Sequence, residues 1–171
     1  MSRSIRLAAV LVVVGGLATG LVAYAAAGPP NHANRLEATF TETVKVVVAD
    51  NIPSYGIGLA ILTGSGTLEG FGGVTETGGV VFDRTVQPCG IPSESAAVVR
   101  RIVTADGILA IRESNHTCLT PERIATGTFE VDGLFSTGVF AGATGSGTVE
   151  NLLGPHILTL SGKLKLANDA G

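Results

Sequence analysis

The chain has few of the side chains that most often stack on ligands or carry out catalysis. Its 171 residues include no Trp, two Cys and three His, and aromatic residues make up 5% of the composition. The scarcity of large aromatic rings argues against sugar recognition by stacking. Nucleophilic catalysis by a serine triad has little support, because no Gly-x-Ser-x-Gly sequence occurs. The run GATGSG lacks the Lys-Ser/Thr pair of a phosphate-binding loop, so we expect no cofactor.

Residues 1–27 have the order of a secretory signal peptide. Arg3 and Arg6 precede an uncharged apolar stretch from Leu7 to Ala23, and Ala25 to Ala27 supply small residues for cleavage. The alternative is an uncleaved membrane anchor, since the stretch approaches the roughly 20 residues that span a bilayer. Three glycines within the stretch and the small residues that follow it favour cleavage over anchoring. We therefore expect a secreted protein, extracellular or in the cell envelope, with no stable membrane insertion after cleavage.

Cleavage would make the chain more acidic. Lys plus Arg falls from 11 to 9 against 14 Asp plus Glu, so the net charge changes from −3 to −5. An acidic chain lacks the excess of basic residues that attracts nucleic acid or anionic lipid, so we expect no nucleic-acid partner. The remaining length predicts one domain with a hydrophobic core.

The two cysteines flank a predicted hairpin. Cys89 and Cys118 stand on either side of two strand-like runs joined at Asp106-Gly107, which is a strong two-residue turn signal. Both lie beyond the open end of that hairpin, so we predict a disulfide, which would stabilise an exported protein by roughly 3–4 kcal/mol. The alternative is a metal site or redox pair with His116. The spacing matches no standard zinc pattern, and we expect no metal site.

Alternating strands dominate the rest of the chain. The segment HILTLSGKLKL alternates leucines with polar residues, which predicts one buried and one exposed face. The first strand alternates in the same way from Leu36 to Val46, and Thr63 to Gly66 is predicted to be a hairpin turn. No segment shows a capped helical repeat. These features indicate an all-β barrel or sandwich, and a last strand able to pair with the first favours closure.

One glycine-rich stretch resembles a known family. Phe135 to Val149 is FSTGVFAGATGSGTV. It resembles the Gly-Thr-Gly-x-Phe-x-Gly-Ala-x-Gly stretch of the allene oxide cyclase and dirigent-like superfamily, with serine in place of the first glycine. The matching residues are Ser136, Thr137, Gly138, Phe140, Gly142, Ala143 and Gly145. Secreted bacterial relatives often end, as this chain does, in an alternating strand. The alternative is that such hairpins arise in many secreted β proteins.

The resemblance implies an eight-stranded antiparallel β-barrel of calycin type. We assign it to residues 36–167, after a flexible leader at 28–35 and before a tail at 168–171. In the stretch itself, glycines would allow a bend and a bulge while Phe140 plugs the barrel. The superfamily's enzymes act inside the cavity, but their catalytic positions do not transfer to this chain by motif.

One acidic residue interrupts the apolar face of the first strand. Glu42 falls between Phe40 and Val44, and a carboxylate inside a barrel would have a raised pKa suited to acid/base work. Arg84 and Arg101 each lie on the same predicted strand face as apolar residues two positions away, so either is a candidate partner of Glu42. The alternative is a bulge near Glu42 that returns it to solvent, with both arginines on the outer face. Glu42, Arg84 and Arg101 are therefore the catalytic candidates.

Three functions are compatible with these patterns. The first is a non-enzymatic barrel that binds a small apolar ligand or acts as an extracellular interaction module. The second is an enzyme of cyclase or isomerase type, and a third possibility is adhesion through edge strands. An enzyme requires a cavity with convergent polar groups. A purely structural barrel would instead be filled by Phe40, Phe71, Phe82, Phe129 and Phe140.

Overall fold

Most of the residues that the structure describes lie in β-strands. The computed structural model describes residues 35–49, 56–85, 93–118 and 123–167. Its strands are β1 Leu36–Ala49, β2 Ile57–Leu68, β3 Gly72–Asp83, β4 Ser93–Val103, β5 Gly107–Cys118, β6 Ile124–Val131, β7 Thr137–Gly138, β8 Thr144–Leu152 and β9 Ile157–Lys165. None of the described segments contains a helix that is long and apolar enough to cross a membrane.

The eight long strands close into one antiparallel barrel. Each of β1 to β5 pairs with the next strand, β6 pairs with β8, β8 with β9, and β9 returns to β1, where Leu158 lies opposite Phe40. The short β7 adds two residues beside β5. The predicted eight-stranded antiparallel barrel is confirmed, including its closure by the last strand. Each of these eight strands is paired on both sides over part of its length, and residues 43–49 of β1 have a partner only in β2 among the described strands. The unpaired edges are therefore short, which gives adhesion through edge strands little support.

The two predicted turns had different outcomes. The hairpin at Asp106-Gly107 is confirmed, but its turn is longer than two residues, because Val103 pairs with Ile108 and the chain reverses over residues 104–107. The turn at Thr63 to Gly66 is wrong: β2 runs through it, and the chain reverses after Leu68. A Cβ at Gly64 would lie 2.5 Å from Glu76 Oε1. The glycine in this strand therefore leaves room for a neighbouring side chain inside the barrel.

The segment between β6 and β8 closes one end of the barrel. Phe140 is fully buried there, and its ring centroid lies 4.7 Å from that of Phe71. Gly138 and Gly142 flank it with φ of 63° and 71°, in the left-handed region that favours glycine. The expected bend and plug are thus present. Apolar side chains fill this half of the barrel, among them Leu36, Phe40, Leu68, Ile102, Leu109, Ile111, Phe129, Val149, Leu158, Leu160 and Leu164.

The opposite end is the mouth, where β1, β3, β5 and β8 finish. In the sequence, residues 50–55, 86–92 and 119–122 follow β1, β3 and β5, and they lie outside the described residues.

Several predictions also fall outside the described residues. They are the signal peptide, most of the leader and the tail at 168–171. Cys118 ends β5 opposite Ser93, the first residue of β4, but Cys89 is not among the described residues. The disulfide between the two cysteines therefore stays a prediction.

Candidate functional site

Glu42 points into the barrel. Its side chain is buried, in step with Phe40 on the inward face of β1. A β-bulge does occur in β1, but it lies between Val46 and Val48, nearer the mouth. The alternation is therefore unbroken up to Glu42, and the expectation of a bulge that returns this carboxylate to solvent is wrong.

The arginine that meets Glu42 is Arg100, which the sequence pattern did not single out. Arg101 lies on the outer face, together with Val99 and Val103, whose exposed fractions are 57% and 41%. Arg100 is buried on the inward face of the same strand, next to Ile102. Because β4 has apolar residues on both faces, alternation alone could not tell which arginine faces inward.

Arg84 lies near the mouth and has a different partner. Its Nε donates to Glu94 Oε2 at 3.0 Å, and its guanidinium lies 4.9 Å from the centroid of the Phe82 ring. Of the three candidates named from the sequence, only Glu42 belongs to the buried polar site.

The buried site is a guanidinium surrounded by three carboxylates. Arg100 Nη1 donates to Glu42 Oε1 and, at 2.5 Å, to Glu76 Oε2. Arg100 Nε donates to Glu113 Oε1 at 2.7 Å, with Nη2 at 3.5 Å from Glu113 Oε2. All four side chains are at most 1% exposed. These four residues, Arg100, Glu42, Glu76 and Glu113, are called the Arg100 cluster below.

Two asparagines extend the Arg100 cluster. Asn151 Nδ2 donates to Glu42 Oε2 at 2.5 Å, and Asn115 Nδ2 donates to Glu113 Oε2 at 2.9 Å. In both contacts the amide nitrogen is the donor and a carboxyl oxygen of the glutamate is the acceptor. The amide oxygens are thereby directed away from the carboxylates.

Burial and charge shift the protonation of the Arg100 cluster. Burial raises the pKa of Glu76 to about 7, against the lowering effect of Arg100 and with a further raising effect of Glu42. Burial alone would lower the pKa of Arg100, but the charges of Glu113 and Glu42 hold it above its ordinary value. The guanidinium therefore stays charged, while Glu76 exchanges a proton near neutral pH.

A cavity of about 190 Å³ lies between the Arg100 cluster and the mouth. Arg100, Asn115 and Asn151 are each the deepest lining residue of their strand and are called the polar floor below, and the apolar Leu62 reaches the same depth on β2. The walls are mainly apolar and include Ala60, Leu62, Val80, Phe82, Ala96, Val98 and Ala125. An engineered apolar cavity of about 150 Å³ is already large enough to bind benzene. The space therefore suits one small ring or a short chain.

The five phenylalanines expected to fill the barrel occupy different parts of it. Phe40, Phe129 and Phe140 are buried at the closed end, and Phe71 packs there while partly exposed. Phe82 belongs to the cavity wall. One half of the barrel is thus a packed core, and the other half is a cavity with converging polar groups.

A scan of protein-family models and searches of curated proteins and of solved structures found no match to this chain. The barrel is established by its own strand pairing. The resemblance at Phe135 to Val149 rests on those residues and on their position at the closed end.

Sequence reasoning missed most of the buried site, although a signal was present for part of it. Glu76 follows Val74 on the inward face of β3, and Glu113 follows Ile111 on the inward face of β5. Glu76 interrupts an apolar face as Glu42 does, since Val80 and Phe82 lie further along it, so the same test applied to β3 would have found it. Glu113 is followed at the inward positions by the polar Asn115 and Thr117, so the signal on β5 is weaker. Among the described residues, no group of His, Cys, Asp or Glu could hold a metal ion.

Proposed function

We propose that this chain is a secreted β-barrel protein that binds a small, mainly apolar molecule in the open half of the barrel, without catalysis. The observation that carries the proposal is the cavity of about 190 Å³, with apolar walls and a polar floor. Small-molecule sites typically combine a largely apolar lining with a few placed polar groups. The export part of the proposal rests on the pattern of residues 1–27.

The groups on the cavity floor favour binding over catalysis. Arg100 holds its proton at neutral pH, and the amides of Asn115 and Asn151 do not titrate there. Glu76 exchanges a proton near neutral pH, but it is not among the residues that line the cavity. A ligand on this floor would meet hydrogen-bonding groups and no acid or base.

We also propose membership of the allene oxide cyclase and dirigent-like superfamily. The stretch that carries the resemblance forms the plug at the closed end, where Ser136 Oγ accepts a hydrogen bond from Ala110 N at 2.9 Å and donates one to Asp132 O at 2.8 Å. This role for the stretch is the one the resemblance implies.

Benzyl alcohol is a suitable first probe, since its ring fits the space. We expect it to bind the purified protein with a dissociation constant on the order of 1 mM, as a very small ligand allows. In methyl NMR spectra, the signals of Leu62, Val80 and Val98 should move on titration. The signals of Val99 and Val103, on the outer face, should stay in place.

A matched pair of variants locates the binding. Ala96→Phe fills the cavity and should weaken benzyl alcohol binding by about tenfold or more, because the ring needs the same volume. Ala97→Phe changes the next residue, which faces outward, and should leave binding unchanged. If neither the native protein nor Ala97→Phe binds the probe, the ligand-binding function is wrong, and an interaction module using the outer surface becomes the better hypothesis.

An enzyme of cyclase or isomerase type is the second candidate, favoured by the pKa of about 7 at buried Glu76. Such enzymes transfer protons at carbon, so acetophenone in D₂O is a direct test. A catalytic barrel would exchange the methyl protons for deuterons faster than buffer does, and Glu76→Gln would abolish the acceleration. A binding protein leaves the exchange rate at the buffer value.

A further inference from the structure

The buried polar site contains acceptors that lack donors. Glu76 Oε1, Asn115 Oδ1 and Asn151 Oδ1 are buried and have no hydrogen-bond partner within the structure. The two asparagine oxygens belong to residues of the cavity floor, and Glu76 is 1% exposed directly beside Arg100. A buried acceptor without a donor is costly, so the two asparagine oxygens require a hydrogen bond from water or from a bound molecule.

Most N–H groups at the floor already point at carboxylates. Each nitrogen of the Arg100 guanidinium donates to a carboxylate, and the amide nitrogens of Asn115 and Asn151 donate to Glu113 and Glu42. A guanidinium has five N–H groups and an amide has two, so an incoming acceptor would find one N–H on Arg100 Nη2 and one on each amide, all on nitrogens that already donate. An incoming donor would find two amide oxygens that have no hydrogen bond within the structure.

The net charge of the Arg100 cluster, next to the floor, favours a cationic ligand over an anionic one. Three carboxylates face one guanidinium, so the Arg100 cluster has a net charge of minus two when all three carboxyls are ionised. The walls above it are mainly apolar, and in such surroundings charges are screened far less than in water. The field at the floor therefore attracts a cation and repels an anion.

On the basis of the ligand-binding function, we propose that the cavity takes a small apolar molecule with a primary ammonium head. The head contacts Asn115 and Asn151 at the floor, and the apolar body lies between Leu62, Val80 and Val98. An ammonium group brings three N–H donors for the two unpartnered amide oxygens and one positive charge to offset the net negative charge of the Arg100 cluster behind the floor. A hydroxyl group brings a donor without the charge and should bind more weakly.

Three probes with the same ring test the head group. Benzylamine, benzyl alcohol and benzoate differ at the position that would meet the floor, and calorimetry or methyl NMR gives their affinities for the native protein. We expect benzylamine to bind about tenfold more tightly than benzyl alcohol, since hydrogen bonds to charged groups are the stronger ones. Benzoate should show no binding at the floor.

The possible results distinguish failure of the ammonium proposal from failure of the ligand-binding function on which it rests. Equal affinities for benzylamine and benzyl alcohol, or tightest binding of benzoate, would overturn the ammonium proposal and leave the ligand-binding function standing. Tight benzoate binding that disappears in Arg84→Met would place the polar end at the mouth instead. Failure of all three probes to bind would contradict the ligand-binding function itself.

A charge variant provides a second test. Glu76→Gln removes one negative charge next to Arg100, while Glu130→Gln removes one from the exposed face of β6. The first should lower the affinity for benzylamine several-fold and leave the affinity for benzyl alcohol unchanged. The second should change neither affinity.

The pH dependence of binding to the native protein provides a third test. The affinity for benzylamine should rise with pH through about 7, because Glu76 loses its proton beside Glu42 and Arg100. An affinity for benzylamine that changes with neither variant nor pH contradicts the proposal.

Discussion

Arg100→Met should destabilise the barrel by about 3–5 kcal/mol near neutral pH, the usual cost of removing one partner from a buried ion pair. The loss leaves Glu42, Glu76 and Glu113 close together in the interior without a cation. Methionine matches the unbranched shape of the arginine stem, so the effect reports the missing charge more than a missing volume. Urea unfolding monitored by circular dichroism measures the difference in unfolding free energy.

The neighbouring arginine provides the control for this prediction. Arg101→Met changes the same residue type on the same strand, but on the exposed outer face, and should alter stability by about 0.5 kcal/mol or less. The deficit of Arg100→Met should also shrink as the pH is lowered, because protonated carboxyls no longer repel each other. If Arg100→Met is as stable as Arg101→Met near neutral pH, Arg100 is not the counterion that holds the Arg100 cluster together.

Glu76→Gln should remove part of the pH dependence of folding. Burial raises the pKa of Glu76 from 4.5 to about 7 in the folded protein. Between these values the folded state keeps a proton that the unfolded state has lost, so this group makes stability fall as pH rises through that window. A shift of this size corresponds to roughly 3 kcal/mol in total. The amide does not titrate, so the variant should exceed the native protein in stability at about pH 8 by up to that amount.

Unfolding free energies at a series of pH values test this expectation. The two proteins should have similar stability close to the unperturbed pKa of glutamate and diverge as the pH rises past the folded-state value. The glutamine of the Glu76→Gln variant keeps an oxygen that can accept from Arg100 Nη1, so the position of the guanidinium need not change. Glu130→Gln, on the exposed face of β6, should follow the native curve. A native-like slope in Glu76→Gln would mean that Glu76 is ionised throughout the window.

Much of the fold could be predicted because its pattern is local. In β9, Leu158, Leu160 and Leu164 face inward while Lys163 and Lys165 face solvent, as the alternation requires. The turn at Thr63 to Gly66 failed for a non-local reason. Its glycines resemble a hairpin signal, but the one at position 64 accommodates a side chain from the adjacent β3. Nothing within β2 itself indicates that neighbour.

The site was only partly predictable for a related reason. Glu42 was visible because its strand has one apolar face and one polar face. On β4, Val99 and Val103 are exposed while Val98 and Ile102 are buried, so both faces carry apolar residues. The pattern therefore cannot show which of the two arginines faces inward. Pairing with β3 and β5 decides which residues of β4 face inward, and the sequence of β4 alone does not specify that pairing.

The sequence by itself determined that the chain forms antiparallel strands with one buried face, and that the final strand could close a barrel, because strand alternation and turn chemistry act over a few residues. The tertiary structure alone decided that Arg100, rather than Arg101, meets three glutamates, and that the barrel is packed in one half and contains a cavity in the other. Those features depend on the register between strands distant in sequence, which sets the contacts of every inward side chain.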